Sequence, residues 1–364
     1  MKDLKNNLTT SGKGSTNIQS KRTKGFGYQV LGFGAGGGVI GPQFTIATGG
    51  TITECGDFKI HTFTGPGTFC VSQAGNPVPG CTPAGGPGNV DYLAVAGGGA
   101  GNRCGGAGGG AGGYRFTDGT SSGCYSAGPA PLGASGFPIS AGAFPITVGG
   151  GGAASPAQCI GCLKGSDSIF STITSTGGGG GGNGYNMTSA SSTAGAPGGS
   201  GGGGGGNYPS SPEFFVAGTG NSPPVSPSQG NPGGTGAADS TRPQETGGGG
   251  GAGAVGSNAT LNTQPGAGGT GLASSITASA VTRAGGGGGG SWSPDNWGPG
   301  NPGSSGGSGG GGAGGRGGCC EAVGAAGTPN TGSGGGGGGR AYARTGKLGG
   351  AGGSGIVVIR YKFQ

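Results

Sequence analysis

Apolar residues occur along this chain as short strips, separated by long stretches that carry few side chains or none. Phe58-Lys-Ile-His-Thr-Phe63 alternates, which puts its apolar side chains on one face of a β-strand. Thr64-Gly-Pro-Gly67 supplies turn residues and Thr68-Phe-Cys-Val-Ser72 a second strand, so residues 58–72 predict a β-hairpin. Val90-Asp-Tyr-Leu-Ala-Val-Ala96 predicts another strand, with weaker signals at 114–116, 144–148 and 168–174. The strongest comes last: Ile356-Val-Val-Ile-Arg-Tyr-Lys-Phe363 is β-branched or aromatic almost throughout. A terminal strand this apolar has to be covered. The economical solution is a small β-sandwich in which it returns beside an early strand, with 90–96 as the candidate neighbour. Everything between is then an excursion, and pairing such distant segments implies high contact order and slow folding.

Glycine runs at 177–182, 201–206, 247–251, 285–290 and 334–339 punctuate the excursion. Their unequal spacing argues against a solenoid of fixed period. Glycine supplies 110 of the 364 residues without a strict G-X-Y period, which excludes collagen and an ordinary globular composition alike. A flexible or disordered chain stays soluble through charge, yet only 8% of residues are charged. Ordering a run of glycines costs more conformational entropy than ordering any other residue, so dense interactions must offset it. Lacking a Cβ, a run can adopt an extended three-per-turn helix of about 3.1 Å rise per residue, roughly 19 Å for six residues. That helix has no internal hydrogen bonds, so its N–H and C=O groups point outward and demand neighbours. The expected fold is all-β: a small β-sandwich whose long Gly-rich excursions pack as a polyglycine-II helix bundle. The expected organisation is a basic extended arm over 1–25, a glycine/aromatic docking segment over 26–50, sandwich strands over 51–176, the helix bundle with variable loops over 177–350, and the closing strand over 351–364.

Charge refines this picture. The formal net charge is +7, and Lys2, Lys5, Lys13, Lys21, Arg22 and Lys24 against Asp3 place +5 of it in the first 24 residues. A basic arm on a near-neutral body suits an anchor on an acidic partner surface, with Lys21, Arg22, Lys24, Phe26 and Tyr28 as anchoring residues. A nucleic-acid-binding body would instead show a basic stripe, so no nucleic-acid partner is expected. No apolar stretch approaches the roughly 20 residues needed to span a bilayer, and no apolar segment follows the basic start, so neither membrane insertion nor a conventional signal peptide is expected. The nine cysteines are an odd number, which leaves at least one unpaired within a monomer.

Val90-Asp-Tyr-Leu-Ala-Val-Ala-Gly-Gly-Gly99 resembles the V-x-Y-L-V-V-A-G-G-G opening of glycine-rich tail proteins of phages, marine ones especially. Phe116, Ile146-Thr-Val-Gly-Gly-Gly151, Thr172-Ile-Thr-Ser-Thr-Gly-Gly-Gly179 and Gly353-Ser-Gly-Ile-Val-Val-Ile-Arg-Tyr361 continue the pattern in the family's order, so the resemblance spans roughly residues 51 to 361. It implies a virion protein. The run architecture also resembles the adhesins at the tips of T-even-type long tail fibres, where a polyglycine sandwich presents hypervariable loops. The nine cysteines and the basic arm depart from that type, which leaves tail tip, baseplate and head surface open as attachment points.

His61 is the single histidine, and its place in an alternating strand reads as strand surface, so no catalytic pair is built beyond it and no enzyme activity is expected. Walker-type phosphate loops are absent, and G-x-G-x-x-G matches follow from composition alone. Cys159-Ile-Gly-Cys162 has metal-ligand spacing and Cys319-Cys320 could add two sulfurs, but no second pair or histidine completes a site. No metal or cofactor is expected, and disulfides or buried thiols are the alternatives. Binding is expected in the loops, where Tyr185, Tyr208, Phe214, Phe215, Trp292, Trp297 and Tyr342 gather with Asp295, Arg340 and Arg344. Both tryptophans fall in Ser291-Trp-Ser-Pro-Asp-Asn-Trp-Gly-Pro299. The same aromatics could instead cap the open ends of the glycine bundle. The expected function is a tail-fibre adhesin, located on the virion, that docks on other virion proteins through its N-terminal segment and binds a bacterial surface protein or glycan, with homo-oligomerisation open. The rivals are a non-receptor appendage or head decoration protein, and an ice-binding protein, which would want a regular Thr or Ala array.

Overall fold

The computed structural model describes residues 41–79, 84–119, 121–122, 125, 133–154, 164–184, 193–206, 215–237, 245–261, 264–293, 300–341 and 346–364. The chain divides into two units, Met1–Pro42 and Gln43–Gln364, and the architecture that follows is that of the second. Its strands are β1 Ile46–Thr48, β2 Thr51–Cys55, β3 Phe58–Phe63, β4 Gly67–Gln73, β5 Asn89–Val95, β6 Tyr114–Phe116, β7 Phe137–Pro138, β8 Gly142–Thr147, β9 Ser168–Phe170, β10 Ile173–Ser175, β11 Leu272–Ser274, β12 Val281–Arg283, β13 Trp292–Ser293, β14 Arg340–Ala341 and β15 Ile356–Lys362. The fold is all-β, as the alternation predicts.

Two sheets face each other. One runs β2-β3-β15-β5-β6, with β7 paired to β5 off that path, and the other runs β1-β4-β8-β9-β10. The closing strand does return beside 90–96: β15 pairs antiparallel with β5, Ile356 opposite Val95 and Ile359 opposite Tyr92. Its other edge pairs with β3. Phe63, Phe69, Tyr92, Phe170, Val357, Ile359 and Tyr361 fill the space between the sheets. The opposite face of the larger sheet is covered too, because Ile60, Leu93, Val95, Ile356 and Val358 pack with Ala111, Ala252, Ile276 and Ala284 of the excursion. Burial on both faces is why the last strand is apolar without alternation. Each such side chain contributes roughly 1.5–3 kcal/mol when fully buried.

The expected hairpin over 58–72 does not form. β3 has both edges taken, by β2 and β15, while β4 lies in the other sheet between β1 and β8. The Thr64–Gly67 segment is therefore a crossover between sheets. The hairpin lies one strand earlier: β2 pairs with β3 from Cys55 opposite Phe58, around Gly56-Asp57. Gly56 has φ +57°, the positive value that a glycine-first two-residue hairpin turn requires.

His61 is not at the strand surface. It is fully buried in the sandwich, edge-on to Phe69 at 5.0 Å and stacked on Tyr361 at 5.4 Å between ring centroids. Covering both faces of β3 buries His61 on one side and Ile60 on the other, so alternation ceases to mark an exposed face.

The glycine runs are buried and held by backbone hydrogen bonds that recur every third residue. From 334 onward, Gly334, Gly337 and Arg340 N–H groups donate to Gly285, Gly288 and Ser291; Gly335 and Gly338 donate to Gly99 and Asn102; Gly336 and Gly339 donate to Ala325 and Ala322. The next run does the same: Gly286 and Gly289 donate to Gly269 and Gly266, Gly287 and Gly290 to Gly109 and Gly106, and Gly288 and Ser291 to Gly312 and Gly315. Each run thus addresses three neighbours in rotation, which satisfies polar groups that would otherwise be buried unpaired. The segments approach so closely that side chains do not fit. A Cβ on Gly336 would lie 2.0 Å from the Ala313 carbonyl oxygen, and one on Gly287 2.0 Å from that of Gly335.

Candidate functional site

Every one of the five runs has one terminus toward the sheets and one away from them. On the sheet side, Gly113 N donates to Thr176 O at 2.7 Å, Ser200 N to Ala111 O at 2.9 Å, Ala252 N to Ala284 O at 2.9 Å and Ala284 N to Thr331 O at 2.8 Å. These alanines are small enough to seat the runs against Leu93, Val95 and Val358. The distal termini are Asn183, Gly206, Thr246, Ser291 and Arg340, reached by following each run away from that layer.

Polar side chains stitch the distal termini together. Thr246 Oγ1 donates to Gly290 O at 2.9 Å or Gly106 O at 3.0 Å. Ser291 Oγ donates to Asn301 O at 2.5 Å and accepts from Gly317 N at 2.9 Å. Asn301 Nδ2 donates to Glu245 Oε1 at 3.3 Å, and Glu321 Oε1 accepts from Ala341 N at 2.7 Å. Trp292 and Ser293 pair in parallel with Arg340 and Ala341, which fixes β13 against β14. Thr193 O and Phe215 O accept from Gly205 N at 2.8 Å and Gly236 N at 3.1 Å, and Ala237 bridges Glu245.

Glu245 is the electrostatic anomaly of this end. It is 3% exposed, and burial pushes its carboxyl up to about 7 while the Asn301 amide pulls the other way. Its Oε2 has no hydrogen-bond partner among the described residues. A carboxyl so placed is a donor when protonated and only an acceptor when ionised.

Segments 185–192, 207–214, 238–244, 294–299 and 342–345 adjoin these distal termini. Tyr185, Tyr208, Phe214, Asp295, Trp297 and Tyr342 lie within them, outside the described residues, as do Arg344 and the anchor residues Lys21, Arg22, Lys24, Phe26 and Tyr28. Three of the candidate loop residues, Phe215, Trp292 and Arg340, are described. Phe215 is half-buried. Trp292 is 4% exposed, so its ring does not face solvent. Arg340 is likewise buried. Glu245, Asn301 and Glu321 went unmarked by sequence reasoning, although carboxylates in a nearly uncharged excursion are a signal in themselves. Cys159 and Cys162 lie outside the described residues, among which no group of three or more His, Cys, Asp or Glu side chains could hold a metal ion.

A family model described as a glycine-rich domain matches residues 80–362. The match begins before β5 and ends at the last residue of β15, so it takes in the strand pair that frames the excursion. No curated protein matches the chain.

Proposed function

We propose a function from one premise: the chain belongs to the glycine-rich domain family. It acts as a virion structural protein, a phage tail-fibre adhesin whose glycine runs are polyglycine-type threefold helices that present loops for host-receptor binding. The observation that carries this reading is the grouping of the five run termini, each adjoining an aromatic or polar segment, at the end of the scaffold away from the sheets. The three-residue rotation of hydrogen-bond partners supports the helix type, since an extended helix of three residues per turn points successive N–H groups 120° apart. Loops on a rigid scaffold are the usual seats of recognition. The reading assigns His61 a structural role, with its ring nitrogens engaged by Gly49 O at 2.7 Å and the Tyr361 hydroxyl at 3.0 Å.

A second reading is a virion appendage without a receptor: Trp292 is buried within the single chain, so one of the two loop tryptophans is withheld from an arriving receptor. Gold-labelled electron microscopy of intact particles with an antibody against residues 291–299 separates the two. Label at fibre tips with blocked adsorption to cells supports the adhesin. Label along a shaft or over the head, with adsorption unaffected, overturns it and leaves the appendage.

A further inference from the structure

We propose that Cys319 and Cys320 are a redox modification site, a vicinal dithiol that a small-molecule disulfide converts to a disulfide between adjacent residues. Their Sγ atoms lie 3.3 Å apart and Cys320 is exposed, so attack from solvent is open and the second sulfur is already at hand. The Sγ atoms need to close by little more than an ångström to reach the S–S bond length of about 2.05 Å. The other described cysteines are differently placed: Cys55 lies in β2, Cys70 in the opposite sheet in β4, and Cys104 is buried.

The step balances as thiol–disulfide exchange. The Cys320 thiolate attacks one sulfur of a disulfide such as oxidised glutathione, forming a mixed disulfide and expelling one glutathione thiolate. Cys319, as its thiolate, then attacks the Cys320 sulfur, closing the ring and expelling the second. The two protein thiols lose two electrons and two protons, the small disulfide gains the electrons, and the protons pass to the departing thiolates or to water.

The position gives the modification a consequence. Ala322 N donates to Arg316 O at 3.0 Å, so residues 316–322 form a tight loop. Glu321 within it holds Ala341 N, the last described residue before segment 342–345. A ring at 319–320 locks the turn next to Glu321 and alters that hold. This inference does not depend on the virion reading.

The test equilibrates the full chain in glutathione buffers of graded redox ratio, blocks thiols with iodoacetamide, and digests under denaturing conditions. Trypsin releases both cysteines in one peptide, 317–340, bounded by Arg316 and Arg340. Expected is a loss of doubly alkylated 317–340 of about tenfold across the oxidising range, replaced by a species lacking two hydrogens. The C319S variant should instead accumulate a glutathione adduct on Cys320. Double alkylation at every ratio, or a glutathione adduct persisting on Cys320 in the unaltered chain, overturns the proposal.

Discussion

His61 Nε2 lies 3.0 Å from the Tyr361 hydroxyl, joining β3 to β15 across 300 residues of sequence. The Gly49 carbonyl can only accept, so Nδ1 carries the proton and the neutral ring accepts from Tyr361 through Nε2. Desolvation holds the imidazole below its ordinary pKa, with the Gly49 contact opposing and Lys59 assisting. The unfolded chain therefore takes up the proton first as pH falls, and this site's stabilisation, complete above the unfolded value of about 6.5, is lost as pH drops through the folded one. Denaturant midpoints for H61Q should show a smaller drop from pH 7 to pH 5 than those of the unaltered protein. An equal drop in both would remove His61 from the account.

Glu245 pulls in the opposite direction. Its carboxyl is raised from 4.5 to about 7, so the folded state prefers the proton, and stability present below 4.5 is lost as pH rises through 7. E245Q should be more stable than the unaltered protein at pH 8, by at most on the order of 3 kcal/mol, and indistinguishable at pH 4. A variant destabilised at pH 8 would mean that the ionised carboxylate has a partner.

The glycine scaffold predicts a sharp positional contrast. G336A forces a Cβ to 2.0 Å from a backbone carbonyl oxygen, which only backbone displacement relieves, and should cost about 3 kcal/mol or more. Nothing lies within 4 Å of a Cβ on Gly150, so G150A should stay within about 0.5 kcal/mol. Urea unfolding of the two variants measures this directly.

Removing residues 356–364 deletes the strand that pairs with both β3 and β5 and unroofs both apolar clusters. The truncated chain should fail to fold cooperatively, seen as loss of amide-exchange protection in β5. Retained protection there would mean that the excursion alone holds the sandwich.

The two tryptophans should separate by readout. W292A empties a buried site and should cost about 3–5 kcal/mol. W297A should leave the melting temperature unchanged while weakening adsorption of particles to cells. A loss of stability in both, with adsorption unchanged, would favour the appendage reading.

Part of the architecture is legible in the strips. Ile356–Lys362 reads as a strand needing cover, and its partner at 90–96 follows from economy of burial. Turn chemistry alone misplaces the hairpin, because crossovers share it: Thr64-Gly-Pro-Gly67 turns the chain equally well from one sheet to the other, whereas Gly56-Asp57 marks the true two-residue loop. Five glycine runs are visible, but the scaffold also recruits Gly324-Ala-Ala-Gly327 and Gly346-Lys-Leu-Gly349, whose glycines are buried while the residues between are exposed. A segment at the periphery needs glycine only where it faces the interior, so a run of six marks the centre alone. At the distal end, the aromatic segments can be read as loops, but the Glu245–Asn301 and Glu321–Ala341 contacts join residues whose separations carry no pattern.

The sequence by itself determined where side chains are forbidden and where apolar surface must be hidden, because steric exclusion and burial act on each residue through its own chemistry. Only the tertiary structure decided which sheet each strand enters, that His61 is inside, and which three neighbours each glycine run addresses. Those outcomes depend on backbone carbonyls and apolar faces supplied by distant segments, and a backbone group is the same at every position, so no local pattern encodes its partner.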